Sequence, residues 1–61
     1  MKYANFKNPN GEIFSFKVSN NFNTSSNAFD RLYENFISDN PGGEFVSITS
    51  EPLGYDMSEG I

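Results

Sequence analysis

One stretch, Ser26 to Ile37, limits what this chain can become, because no other run is long and periodic enough to form a helix. Apolar residues recur at Ala28, Phe29, Leu32, Tyr33, Phe36 and Ile37 and draw a single stripe along an α-helix. Asn27, Asp30, Arg31, Glu34, Asn35 and Ser38 take the other side. Thr24, Ser25 and Ser26 offer hydroxyls to the unpaired N–H groups at its start. The nearby Asn23-Thr24-Ser25 sequon is read as part of this cap rather than as a glycosylation site. Pro41 disfavours helical dihedrals at Asn40, and Gly42 and Gly43 then let the chain turn. A helix of three turns does not stand alone in water, so the rest of the chain has to supply a surface for its stripe.

That surface has to be built without staples. The chain contains neither cysteine nor histidine, which removes disulfides and the usual zinc ligands together. A domain of 61 residues buries only about 60% of the surface that its unfolded chain exposes. Seven Phe and three Tyr are therefore expected to carry the core. The absence of cysteine suits a reducing cytosol, no apolar run approaches the length of a membrane span, and Met1-Lys2-Tyr3 does not open a signal peptide. A cytoplasmic location is expected.

Short aromatic and β-branched runs, Lys2 to Lys7 and Glu12 to Val18, flank Asn8-Pro9-Asn10-Gly11 and read as a β-hairpin. Pro9 and Asn10 suit the middle of a type I turn, and Gly11 supplies the positive φ of a three-residue loop, which sets Asn8 opposite Glu12. Phe6 then faces Phe14 and Ala4 faces Phe16, with Val18 on the same side. Asn5 opposite Ser15 and Tyr3 opposite Lys17 fall on the other. Slipping this pairing by one residue would scatter the phenylalanines over both faces. Ser19 to Ser26 is a polar connection in which Phe22 anchors the helix start. Glu44 to Ser50 alternates and gives a third strand, with Val46 and Ile48 on the core side and Phe45, Ser47 and Thr49 on the outer side. After Pro52 neither period is present.

The expected fold is therefore α+β: a single small ββαβ domain with a three-stranded antiparallel sheet, order 2-1-3, and one helix packed on one face. Residues 1–50 form the domain, and residues 51–61 form a flexible or loosely docked tail. One helix covers one face of such a sheet, so the opposite face is left to solvent, to the tail or to a second copy.

The charge is uneven. Residues 1–29 set Lys2, Lys7 and Lys17 against Glu12, for a net +2. Residues 30–61 set Arg31 against Asp30, Glu34, Asp39, Glu44, Glu51, Asp56 and Glu59, for a net −6. Such a balance opposes general affinity for phosphate backbones and favours basic partners, including the nucleic-acid channels of other proteins. Asp30 and Glu34 form an i, i+4 like-charge pair that costs about a few tenths of a kcal/mol. Spacing carboxylates in this way along one helix face is what an electrostatic decoy of a nucleic acid would do.

Without His or Cys, and with no carboxylate, Lys or Ser at a recognisable catalytic spacing, the chain is not expected to be an enzyme. Gly42-Gly43 precedes a strand and is a turn rather than a phosphate loop, and the acids lack calcium-loop spacing. No cofactor and no metal are expected. Two candidate surfaces remain for a partner. One is the acidic helix face with its exit, Asp30, Glu34, Asp39 and Glu44. The other is the open sheet face, with Tyr3, Lys7, Ile13, Lys17 and Phe45.

The ββαβ order, the small acidic chain and the run Pro41-Gly42-Gly43-Glu44-Phe45-Val46-Ser47-Ile48 leading into the last strand resemble small phage host-takeover inhibitors, such as the coliphage inhibitors of bacterial RNA polymerase. The resemblance covers roughly residues 2 to 50 and is one of architecture. It implies a stand-alone inhibitor or modulator that works by surface binding in the cytoplasm of a bacterial host cell, and it transfers no functional residue. The expected function is thus a small acidic non-enzymatic protein-binding module that docks on a larger host protein, a nucleic-acid-handling enzyme being one candidate. The alternatives are a nucleic-acid-binding domain that uses the Lys and aromatic sheet face, and a homodimeric structural subunit.

Overall fold

In the computed structural model, which describes residues 1–57, the elements follow the order β1 (Lys2–Lys7), β2 (Ile13–Val18), α1 (Asn27–Asp39), β3 (Glu44–Thr49) and β4 (Tyr55–Asp56). The four strands form one mixed sheet in the order β3-β1-β2-β4. The hairpin register is the one that buries the phenylalanines, with Phe6 opposite Phe14, Ala4 opposite Phe16 and Tyr3 opposite Lys17. Its turn closes through Asn8. The Asn8 N–H donates to the Glu12 carbonyl at 2.9 Å, and the Asn8 side-chain oxygen accepts from the Asn10 and Glu12 N–H groups. Gly11 holds φ at +90°, in the left-handed region that favours glycine.

Ser26 caps α1, its hydroxyl accepting the Phe29 N–H at 3.1 Å. The helix runs to Asp39, two residues beyond the apolar stripe, and stops at Asn40, whose backbone and side-chain N–H groups both donate to the Phe36 carbonyl. The core is a cluster of rings centred on Phe6, which is fully buried. Its ring centroid lies 5.0 Å from that of Phe36, 5.4 Å from Phe45 and 5.8 Å from Phe16.

Two features depart from the sequence expectation. The first is a register shift in the pairing of β1 with β3. Asn5 pairs with Ser47 but Phe6 pairs with Phe45, so Val46 is the extra residue of a β-bulge. Phe45 accordingly belongs to the core, 4.9 Å from Phe29 in an edge-on contact, while Val46 is 39% exposed. The assignment of Phe45 to the outer face and of Val46 to the core is corrected. An aromatic ring removes more apolar surface from water than an isopropyl group, and the bulge exchanges the two. Tyr33, expected in the core, lies at its margin, 38% exposed and stacked on Phe29.

The second departure is a fourth strand, which makes the sheet mixed rather than three-stranded and antiparallel. After β3 the chain crosses the face opposite the helix and pairs β4 parallel with β2, Phe14 with Tyr55 and Ser15 with Asp56. The crossing is held by side chains on that face. Ser15 Oγ accepts the N–H groups of Leu53 and Gly54 at 3.1 and 3.2 Å, and Asn5 Oδ1 accepts that of Leu53 at 3.3 Å. Asn5 Nδ2 donates to Thr49 Oγ1 at 2.8 Å and to the Ser47 carbonyl at 3.0 Å. Asn5 and Ser15 are thereby fully buried, and among the described residues no buried side-chain nitrogen or oxygen lacks a partner. Residues 58–61, the remainder of the stretch assigned to a tail, lie outside the described residues.

Candidate functional site

The crossing segment decides which surfaces are open to a partner. The sheet face expected to carry Tyr3, Lys7, Ile13, Lys17 and Phe45 is crossed in its middle by residues 50–54, with Lys17 exposed at one end and Tyr3, Lys7 and Ile13 half-buried. Gly54 lies so close to the Ile13 backbone that an added Cβ would sit 2.7 Å from the Ile13 carbonyl carbon. Phe45 has left this face altogether, as described. Tyr3 lies opposite Lys17 and Lys7 opposite Ile13 across β1 and β2, but with Phe45 in the core the two aromatics of a stacking platform are not brought together.

The acidic group is also divided. Asp30, Glu34, Asp39 and Glu44 are all exposed. A helix turns by about 100° per residue, however, so Asp39 lies about half a turn round from Asp30. Asp30 and Glu34 share the outer side of α1, whereas Asp39 borders a groove on its other flank. Glu44 lies at the start of β3, opposite Lys7 in the pairing with β1. The single decoy face expected from the sequence is corrected: Asp30 and Glu34 share a side, while Asp39 on the other flank and Glu44 on β3 lie apart from them.

The groove is an open cavity of about 260 Å³ between the C-terminal half of α1 and the β2–β4 side of the sheet. Phe14, Phe16, Leu32 and Phe36 form its apolar floor, and Met57 borders it just beyond β4. Tyr55, 59% exposed, rests on Phe14 with ring centroids 5.6 Å apart, so β4 lines this edge of the sheet with exposed apolar groups. Asn35, Asp39 and Asn40 make the polar rim along the helix. The last turn of α1 carries no basic residue, so Asp39 adds to the negative end of the helix dipole. Sequence reading missed Met57 and Tyr55 because the alternation after Pro52 is too short, and too interrupted by Gly54, to stand out as a strand. The available signal was the set of apolar residues at Leu53, Tyr55 and Met57, spaced by two.

Among the described residues no three His, Cys, Asp or Glu side chains come together as a metal site, and no helix is long and apolar enough to cross a membrane. Fold and surface together define a small α+β domain with one helix on a mixed four-stranded sheet and an apolar groove at its edge. The chain matches no protein-family model, no curated protein and no solved structure.

Proposed function

We propose that this chain is a small acidic, non-enzymatic protein-binding module that docks through α1 onto a larger, partly basic protein, in the manner of the phage host-takeover inhibitors that its layout resembles. The observation that supports this reading is how the surface is divided. The chain's own residues 50–54 cross the sheet face that carries lysines, while the outer side of α1 presents Asp30 and Glu34, and Arg31 is the helix's one basic residue. Opposite charges steer such an encounter and fix its orientation, and salt weakens it.

The test is capture from a bacterial lysate on the immobilised full chain, compared with its Asp30→Lys, Glu34→Lys double variant. A genuine partner should bind at low salt and elute as the Debye length shrinks from about 10 Å at 0.1 M toward about 3 Å at 1 M. The double variant, altered only at exposed positions, should fold normally and bind at least tenfold more weakly. A partner retained equally by both proteins would remove the acidic helix side from the interface. Tighter binding of the variant to single-stranded oligonucleotides would favour the nucleic-acid reading instead.

A further inference from the structure

The groove beside α1 has a composition that selects its occupant. Its floor is apolar and aromatic, with the Phe36 ring at its base and Met57, an adaptable side chain, on its border. Its helical rim carries one carboxylate, Asp39, at the C-terminal end of a helix with no basic residue in its last turn. The carboxylate and the dipole have the same sign and act on the same point. The half of the chain that builds this rim, residues 30–61, has a net charge of −6 from the acids named above. An acidic or neutral segment would gain only the apolar contact, whereas a cationic side chain beside an apolar one would gain both.

We infer that the groove lined by Phe16, Phe36 and Met57 is the seat for an apolar anchor side chain of a partner protein, flanked in the partner by a Lys or Arg that meets Asp39 and the end of α1. This rests on the protein-binding reading above and names the partner's chemistry: an exposed segment that joins an aliphatic or aromatic residue to a basic one. The polar rim on one side and the apolar β4 edge on the other give the seat a direction, with the basic residue on the helix side.

The experiment titrates a capped hexapeptide of sequence GRLFRG into the isotope-labelled full chain and follows the backbone amide shifts. Two controls are run alongside: GELFEG, which reverses the charge, and GRSSRG, which lacks the anchor. Saturable shifts centred on Leu32, Phe36, Asp39 and Met57 are expected with GRLFRG, with binding at least tenfold weaker for either control. Asp39→Lys and Met57→Gln alter exposed positions and should fold normally; each should weaken GRLFRG binding at least fivefold. Glu51→Gln, at an exposed position that does not line the groove, should change it by less than threefold.

Several outcomes would overturn the inference: no saturable shift with GRLFRG, equal binding of GELFEG, or shifts confined to the Asp30 side of the helix. Two further results would give the groove a different occupant and would also overturn it. One is concentration-dependent shifts of the groove residues without peptide, marking a second copy. The other is nuclear Overhauser contacts from residues 58–61 to Phe16. If the peptide fails while lysate capture still depends on Asp30 and Glu34, the groove assignment is wrong and the protein-binding reading stands. If both fail, the reading itself falls.

Discussion

Asn5 and Ser15 face each other across β1 and β2 and share a 2.5 Å hydrogen bond, and both of their oxygens then accept the N–H of Leu53. Two small polar residues in the middle of a sheet face would ordinarily mark it as solvated. Here they are buried, and they serve as the docking point of the segment that closes the face.

Removing the Ser15 hydroxyl should therefore release that segment. In Ser15→Ala the Gly54 N–H loses its acceptor and the Leu53 N–H keeps only Asn5 Oδ1, a loss of about 0.5–1.5 kcal/mol for each hydrogen bond removed. Amide exchange at Leu53 and Gly54 should accelerate far more than at β1 amides paired with β3. Uniform acceleration through the sheet would mean that the crossing segment is not a separate unit.

Gly54→Ala probes the same contact by bulk rather than by hydrogen bonding. The new Cβ would fall inside the van der Waals envelope of the Ile13 backbone, 2.7 Å from its carbonyl carbon, and backbone atoms there cannot yield cheaply. The pairing of β4 with β2 should be lost while α1 stays in place. Loss of the ring contact between Tyr55 and Phe14, with far-UV helicity retained, is the expected result; retention of that contact would contradict the close approach.

The bulge in β3 makes a prediction that an uninterrupted alternating strand would reverse. Phe45→Ala should cost on the order of 3 kcal/mol, because the ring packs on Phe6 and Phe29. Val46→Ala, at an exposed position, should stay within about 1 kcal/mol. Urea denaturation of both variants decides the matter, and a larger loss at Val46 would restore the unbulged register.

The hairpin turn isolates a backbone effect. Nothing lies within 4 Å of the place a Cβ would occupy at Gly11, so Gly11→Val has no steric neighbour to meet. Its cost should come from the positive φ alone, about 1–3 kcal/mol for a strained backbone position. Asn10→Asp in the same turn should be close to neutral in melting temperature.

What the sequence determined by itself was everything that depends on near neighbours along the chain. The helix follows from a 3.6-residue period with hydroxyl residues at its start, and the hairpin and its register follow from Asn8 to Gly11 and from the need to gather five aromatic and aliphatic positions on one side. The order of β3, β1 and β2 follows from connection rules that act between successive elements. Tertiary structure decided what depends on competition between distant surfaces. An alternating strand contains no record of which residue the Phe6 and Phe29 rings will draw inward, so the exchange of Phe45 with Val46 appears only once those rings are in place. The path of residues 50–57 was equally hidden, because it is specified by Asn5 and Ser15, almost 40 positions or more away from Leu53. Two acids spaced nine apart look like one stripe in a list of residues, yet helical geometry sends Asp30 and Asp39 to opposite flanks, and the groove beside Asp39 exists only where α1, β2 and the returning β4 meet.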